Sequence, residues 1–185
     1  GVYFGSFDPI HENHIAVAQY AIEKYNMRSV YLVSNTDNPR KPFVSPLSER
    51  AALIDARLEQ PDCANGIVRR FPVRERQALD WRGREEVCKQ IERTVSEELE
   101  SQVHIYQLMG QDSFEDPGAR LAFSNASTLS TMQGRTILLF PRTTTPSTIH
   151  VPPNLIRQGV RVEVARSYVD IVEQLSSTRL RTALA

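Results

Sequence analysis

Gly5-Ser6-Phe7-Asp8-Pro9-Ile10-His11-Glu12-Asn13-His14 is the stretch on which the reading of this chain turns, because it separates two segments of different period. Ahead of it, Val2-Tyr3-Phe4 is a short strand-like run broken by Gly5. Behind it, Ile15, Ala18, Ile22 and Tyr25 recur at three- and four-residue spacing, the stripe of an amphipathic helix. Ser29-Val30-Tyr31-Leu32-Val33 then forms a continuous β-branched and aromatic run of strand length, as in a strand buried on both faces. The opening therefore reads as a βαβ unit, with the quoted stretch as its first βα turn.

The same alternation continues. The Asn- and Pro-rich segment from Asn35 to Pro46 reads as a loop, and a helix is expected from Ser48 to about Leu58 with Ser48 as N-cap. Ile67 to Val73 reads as a third strand. Arg84 to Leu99 is a polar helix with Val87, Ile91, Val95 and Leu99 at a four-residue spacing that drifts slowly round its surface. His104 to Met109, Arg135 to Phe140 and Val160 to Val164 read as further strands. Strands alternating with helices imply right-handed crossovers, hence an α/β fold with a doubly wound, mostly parallel sheet and helices on both faces. A chain of 185 residues that is 41% hydrophobic closes one ordinary core, so residues 1–185 are expected to form a single domain. The chain starts without Met inside an apolar run, which suggests a domain cut from a longer protein.

Composition narrows the partners. Lys plus Arg number 22 and Asp plus Glu number 22, so no overall basic field draws the molecule to nucleic acid or to an anionic membrane, and any anion binding must be local. Cys63 and Cys88 lack C-x-x-C spacing, which argues against a disulfide framework or a thiolate metal site and fits a reducing, cytoplasmic compartment. No run of about eighteen apolar residues and no cationic-then-apolar leader is present.

In a doubly wound sheet, the loop leaving a strand's carboxyl end borders the ligand crevice, and the next helix offers N–H groups and a positive dipole end to phosphate. If that helix begins near Pro9, His11 and His14 share one face that points back at the same anion. Such donors suit in-line attack on a phosphorus of a nucleoside triphosphate, where charge spreads over oxygens and no covalent intermediate is needed. Paired histidines at a helix start also occur as plain polar decoration, and spacing alone leaves both readings open. The i, i+3 spacing departs from the i, i+4 of the H-E-x-x-H zinc helix. Leu175-Ser176-Ser177-Thr178-Arg179-Leu180-Arg181 is a helix-start sequence able to hold a second stretch of phosphate, or merely an N-cap. Gly110-Gln111-Asp112-Ser113 follows a strand, and its Gly and acid suit close approach to a sugar and its hydroxyls, or an ordinary strand-end turn.

Taken together, in this order, the three segments resemble the nicotinate/nicotinamide mononucleotide adenylyltransferases of the HxGH nucleotidyltransferase superfamily, which also holds phosphopantetheine adenylyltransferase and the small cytidylyltransferases. Gly5 to His14 looks like the G-[ST]-F-D-P-x-H-x-G-H signature, Leu175 to Arg181 like I-S-S-T-x-I-R, and Gly110 to Ser113 like the G-x-D-S turn. The resemblance implies a Rossmann-like nucleotidyltransferase that moves AMP from ATP to nicotinate or nicotinamide mononucleotide and releases pyrophosphate. It implies that His11 and His14 contact the triphosphate at the α-phosphorus, with Arg181 as a third catalytic group. Gly5, Ser6 and Phe7 would line the nucleotide through backbone and side chain, and Ser176, Ser177 and Thr178 would grip the outer phosphates. Asp112, with Gly110 and Ser113, would bind ribose, while Lys41 and Arg50 would bind phosphate.

Magnesium is implied, carried by phosphate oxygens and water rather than by a protein cage. The partners are then small molecules, with no nucleic acid and no membrane.

Three departures stand out. Asn13 occupies the signature's Gly position, where a side chain would crowd a ligand lying close to the helix. The family's acceptor-recognising segment has no evident counterpart, and Trp81 is the residue there that could stack on a pyridine ring, or simply pack. The chain also stops four residues after Arg181, where the family usually continues with another helix. Two other readings remain: a phosphopantetheine or CTP-using member of the superfamily, and a non-catalytic nucleotide-binding module. Retention of both histidines speaks against the module, and His11 speaks against phosphopantetheine enzymes, which usually carry Thr there.

Overall fold

The computed structural model of the chain describes residues 1–35, 44–74, 80–141 and 149–165. Its strands are β1 (Val2–Gly5), β2 (Val30–Ser34), β3 (Val68–Arg70), β4 (Tyr106–Gly110), β5 (Thr136–Phe140) and β6 (Arg161–Val164). They lie in the order β3-β2-β1-β4-β5-β6. β2 with β3, β4 with β5 and β5 with β6 pair parallel. The bonds from Tyr31 N–H to the Gly1 carbonyl and from Asn35 N–H to the Gly5 carbonyl advance together, so β1 and β2 are parallel too. With right-handed crossovers this order is that of a doubly wound sheet, as the alternation of periods predicts.

The chain divides into two compact units, one holding the described residues from Tyr3 to Arg74 and the other those from Asp80 to Ala165. In the first, α1 (Glu12–Tyr25) and α2 (Leu47–Leu58) pack on β2 and β3. Ile15 and Ala18 of the predicted stripe are buried, together with Val30, Leu32 and Val33 of β2 and Ile54 of α2. In the second, β5 is buried at every residue. Its Ile137 and Leu139 join Met109, Phe114, Phe123, Leu129, Met132 and Leu155 in one apolar cluster. Removing each such large side chain from water stabilises the fold by about 1.5–3 kcal/mol.

Several boundaries differ from the sequence reading, and local chemistry explains each. Helix α1 starts at Glu12 with His11 as N-cap, later than Pro9. Helix α2 starts at Leu47, and Pro46, not Ser48, is its N-cap residue, because the Pro46 carbonyl already accepts the Arg50 N–H at 3.1 Å. Helix α3 (Trp81–Leu99) begins before Arg84, since the Asp80 carboxylate caps the Gly83 N–H at 2.8 Å.

Three short helices fill the stretch between β4 and β5: α4 (Gln111–Glu115), α5 (Pro117–Ala122) and α6 (Ala126–Thr131). Asp116 and Asn125 cap the last two. Helix α7 (Pro153–Arg157) precedes β6. No helix among the described residues is long and apolar enough to cross a membrane.

Candidate active site

The first βα turn is held from below by an aromatic ring. Phe7 is only 1% exposed and has a positive φ of 46°, a left-handed conformation that an aromatic L-residue adopts at a cost of about 1–3 kcal/mol. Burial of its ring offsets that cost. The ring meets Tyr3 edge-on at 5.4 Å and His14 edge-on at 5.0 Å. A Cβ on Gly5 would stand 2.8 Å from two ring atoms of Phe7, so Gly5 is needed to seat this ring. This corrects one expectation: the Phe7 side chain is packing beneath the turn, and only its main chain remains available to line a ligand. The Asp8–Pro9 peptide that follows is cis.

Above that ring, His11 and His14 come together. Their rings stack at 3.8 Å between centroids, inclined by 30°. His11 is the N-cap of α1 and His14 its third residue, whose N–H donates to the His11 carbonyl at 2.9 Å. In the opposite sense the His11 N–H donates to His14 Nδ1 at 3.2 Å. His14 thus plays the part Glu or Gln usually takes in a capping box. An imidazole that accepts at Nδ1 carries its proton on Nε2, so the far side of the His14 ring is a donor. Both histidines are half-buried, and they stand at the positive end of a 14-residue helix. Asn13 is buried between them in sequence.

Glu12 adds an acid to that helix start, which suits the dipole but would repel an anion. Arg57 offsets it: the guanidinium donates to Glu12 at 3.2 and 2.9 Å and to Asp62 at 2.9 and 2.7 Å. Asp62 first, and Glu12 after it, hold Arg57 firmly in its charged form despite burial.

Arg50, expected to bind phosphate, is buried against main-chain carbonyls. It is 1% exposed, with Nη1 donating to the Ser6 carbonyl at 2.7 Å and Nε to the Ser45 carbonyl at 2.8 Å. The Ser45 N–H donates in turn to the buried Asp8 carboxylate at 3.0 Å. These contacts join the turn to the segment entering α2. Their sequence signal was the pairing of Arg50 with buried Ile54 at i, i+4, which puts an arginine on the apolar face of α2.

In the second unit, Gly110 ends β4 and serves as the N-cap of α4. A Cβ there would lie 2.7 Å from Asp112 Oδ1, so the carboxylate folds over the glycine. Asp112 and Ser113 are exposed, while Gln111 and Phe114 on either side are buried. Trp81 takes the packing role. Its ring lies edge-on to Phe123 at 4.7 Å against the apolar cluster, and the Arg84 guanidinium sits 5.1 Å from its centroid. Of the two readings open for Trp81, these contacts support packing.

Lys41, Ser176, Ser177, Thr178 and Arg181 lie outside the described residues. Among the described residues, no group of three or more His, Cys, Asp or Glu side chains could hold a metal ion.

Residues 2–183 match the model of the family described as cytidylyltransferase-like. Phosphopantetheine adenylyltransferase from Alkaliphilus metalliredigens (strain QYMF) is 37% identical over 73 residues, which is 37% of this chain, and the match spans 45% of that relative's length. Plasmodium falciparum nicotinic acid mononucleotide adenylyltransferase complexed with NaAD superposes with a TM-score of 0.68 at 12% identity, covering 100% of this chain and 82% of its own. The same enzyme complexed with APC gives 0.64 at 11% identity, covering 98% and 81%. At such identities the structural likeness is one of fold.

Proposed function

The chain belongs to the cytidylyltransferase-like family of nucleotidyltransferases, and from that premise we propose that it is an adenylyltransferase joining AMP from ATP to nicotinate or nicotinamide mononucleotide. The observation that carries this reading is the paired His11 and His14 at the start of α1, with the His14 donor fixed on Nε2. A phosphate oxygen of the mononucleotide attacks the α-phosphorus of ATP, the bond to the bridging oxygen of the β-phosphate breaks, and pyrophosphate leaves. Charge spreads over the α-phosphoryl oxygens in that transition state. His11, His14 and the amino end of α1 are donors of the kind that stabilises it, each well-aimed one contributing a factor of about 10²–10³.

Asp112, exposed at the end of β4, is assigned to a ribose hydroxyl with Gly110 and Ser113 beside it. Lys41, Ser176, Ser177, Thr178 and Arg181 are assigned to the phosphates from the sequence alone. Magnesium accompanies ATP, carried by phosphate oxygens and water. One family model running across both compact units supports their working as one nucleotidyltransferase domain. Cys63 and Cys88 are free and buried, in accord with a cytoplasmic setting.

A second reading has its own support: the 37% identity to a phosphopantetheine adenylyltransferase makes phosphopantetheine an alternative acceptor with the same chemistry. Pyrophosphate release assayed with ATP or CTP against each mononucleotide and against phosphopantetheine separates the two. Release with ATP and a pyridine mononucleotide alone is the expected result. Release only with phosphopantetheine transfers the assignment to the second reading. Silence across all pairs with ATP still bound would leave a nucleotide-binding module.

A further inference from the structure

We propose that Arg50 is a positioning residue for this transfer: by gripping the Ser6 carbonyl it turns the Phe7 main-chain N–H toward the nucleotide phosphates. The inference rests on the function proposed above and gives that site a group which touches no substrate. In the Ser6–Phe7 peptide, which is trans, the carbonyl and the N–H point in opposite directions across one plane. The carbonyl is fixed on Arg50 Nη1 at 2.7 Å, so the Phe7 N–H faces the side away from Arg50. Phe7 itself is left-handed, with φ at 46°.

The grip is built to hold. One guanidinium spans two segments, since Nε takes the Ser45 carbonyl at 2.8 Å, and the Ser45 N–H closes the brace on Asp8 at 3.0 Å. Arg50 and Asp8 are 1% and 3% exposed, so water does not compete for these bonds. A lysine keeps the charge at this position and loses the planar fork that reaches both carbonyls at once.

The test is Arg50→Lys, with Arg50→Gln as a second variant, on the whole chain. Each is read by pyrophosphate release and by the Phe7 amide signal of protein labelled with ¹⁵N-phenylalanine and titrated with ATP. For Arg50→Lys we expect kcat to fall about 100-fold while KM for ATP stays within about threefold, as for a misplaced donor. The Phe7 amide should shift with ATP in the wild type and not in the variant. A rise in KM with kcat intact would make Arg50 a direct ligand and overturn the proposal, as would full turnover in both variants. Wild-type protein that turns over while its Phe7 amide ignores ATP would sink the positioning role alone. Wild-type protein whose Phe7 amide responds without any turnover would sink the transfer reaction and leave the positioning of the amide standing.

Discussion

Arg50 and Arg135 are both buried arginines, and what they hold differs. Arg50 donates to the carbonyls of Ser6 and Ser45, which belong to the main chain of two different segments. Arg135, just ahead of β5, donates to the carboxylates of Glu85, at 2.8 and 2.9 Å, and of Glu92, at 2.6 Å. Those acids are both on α3. A cation bonded to carbonyls fixes the conformation of a loop. Bonded to carboxylates on one helix, it fixes how that helix, α3, is tied to the start of β5. The first kind of brace should therefore register in turnover, the second in stability.

The largest expected effect breaks the second brace. Glu85→Ala removes the 1%-exposed carboxylate and leaves Arg135 with Glu92, itself a third exposed. Removing one partner of a buried pair typically costs about 3–5 kcal/mol, and the remaining acid places this case toward the lower end. Urea unfolding measures it, and the folded fraction should turn over at the wild-type rate. A loss below about 1 kcal/mol would mean that Arg135 does not depend on Glu85. Next comes the loop itself. His14→Ala should lower kcat by about 10²–10³, or about 2.7–4 kcal/mol of barrier, while stability falls by about 1–2 kcal/mol, because a capping contact and the ring contacts to Phe7 and His11 go with it. An unchanged kcat would remove His14 from the chemistry.

The contrast also explains what the sequence could reveal. Buried β2 and β5, the stripe of α1 and the order of elements were legible because apolar period is set by burial, and burial dominates these segments. The pairing of His11 with His14 was legible in outline, since residues three apart on a helix start are neighbours. Its detail was not: whether His14 accepts the His11 N–H depends on where the helix begins, and that boundary moved from Pro9 to Glu12. The carbonyl contacts of Arg50 were not legible, because nothing in its spacing pairs it with the main chain of Ser6, 44 residues earlier. Trp81 was legible only as two alternatives, because the ring it packs on, Phe123, lies far along the chain. The short helices after β4 could have been read from their caps, Asp116 before Pro117 and Asn125 before Ala126.

The smallest expected effect sharpens the contrast by asking what burying Glu85 costs. Burial pushes the Glu85 carboxyl above the usual carboxylate range, and Arg135 only partly offsets this. A carboxyl that binds its proton more tightly in the folded chain adds stability below its unfolded pKa, and loses it as pH rises through the folded value. Glu85→Gln abolishes that titration while keeping the shape and a carbonyl acceptor for Arg135. Relative to this variant, the wild type should therefore be most stable near pH 4 and lose ground as pH rises toward 7. Paired urea melts across that range decide the matter. If the wild type instead gains on the variant as pH rises, ion pairing outweighs burial at Glu85, and Arg135 is held by charge more than by its hydrogen bonds.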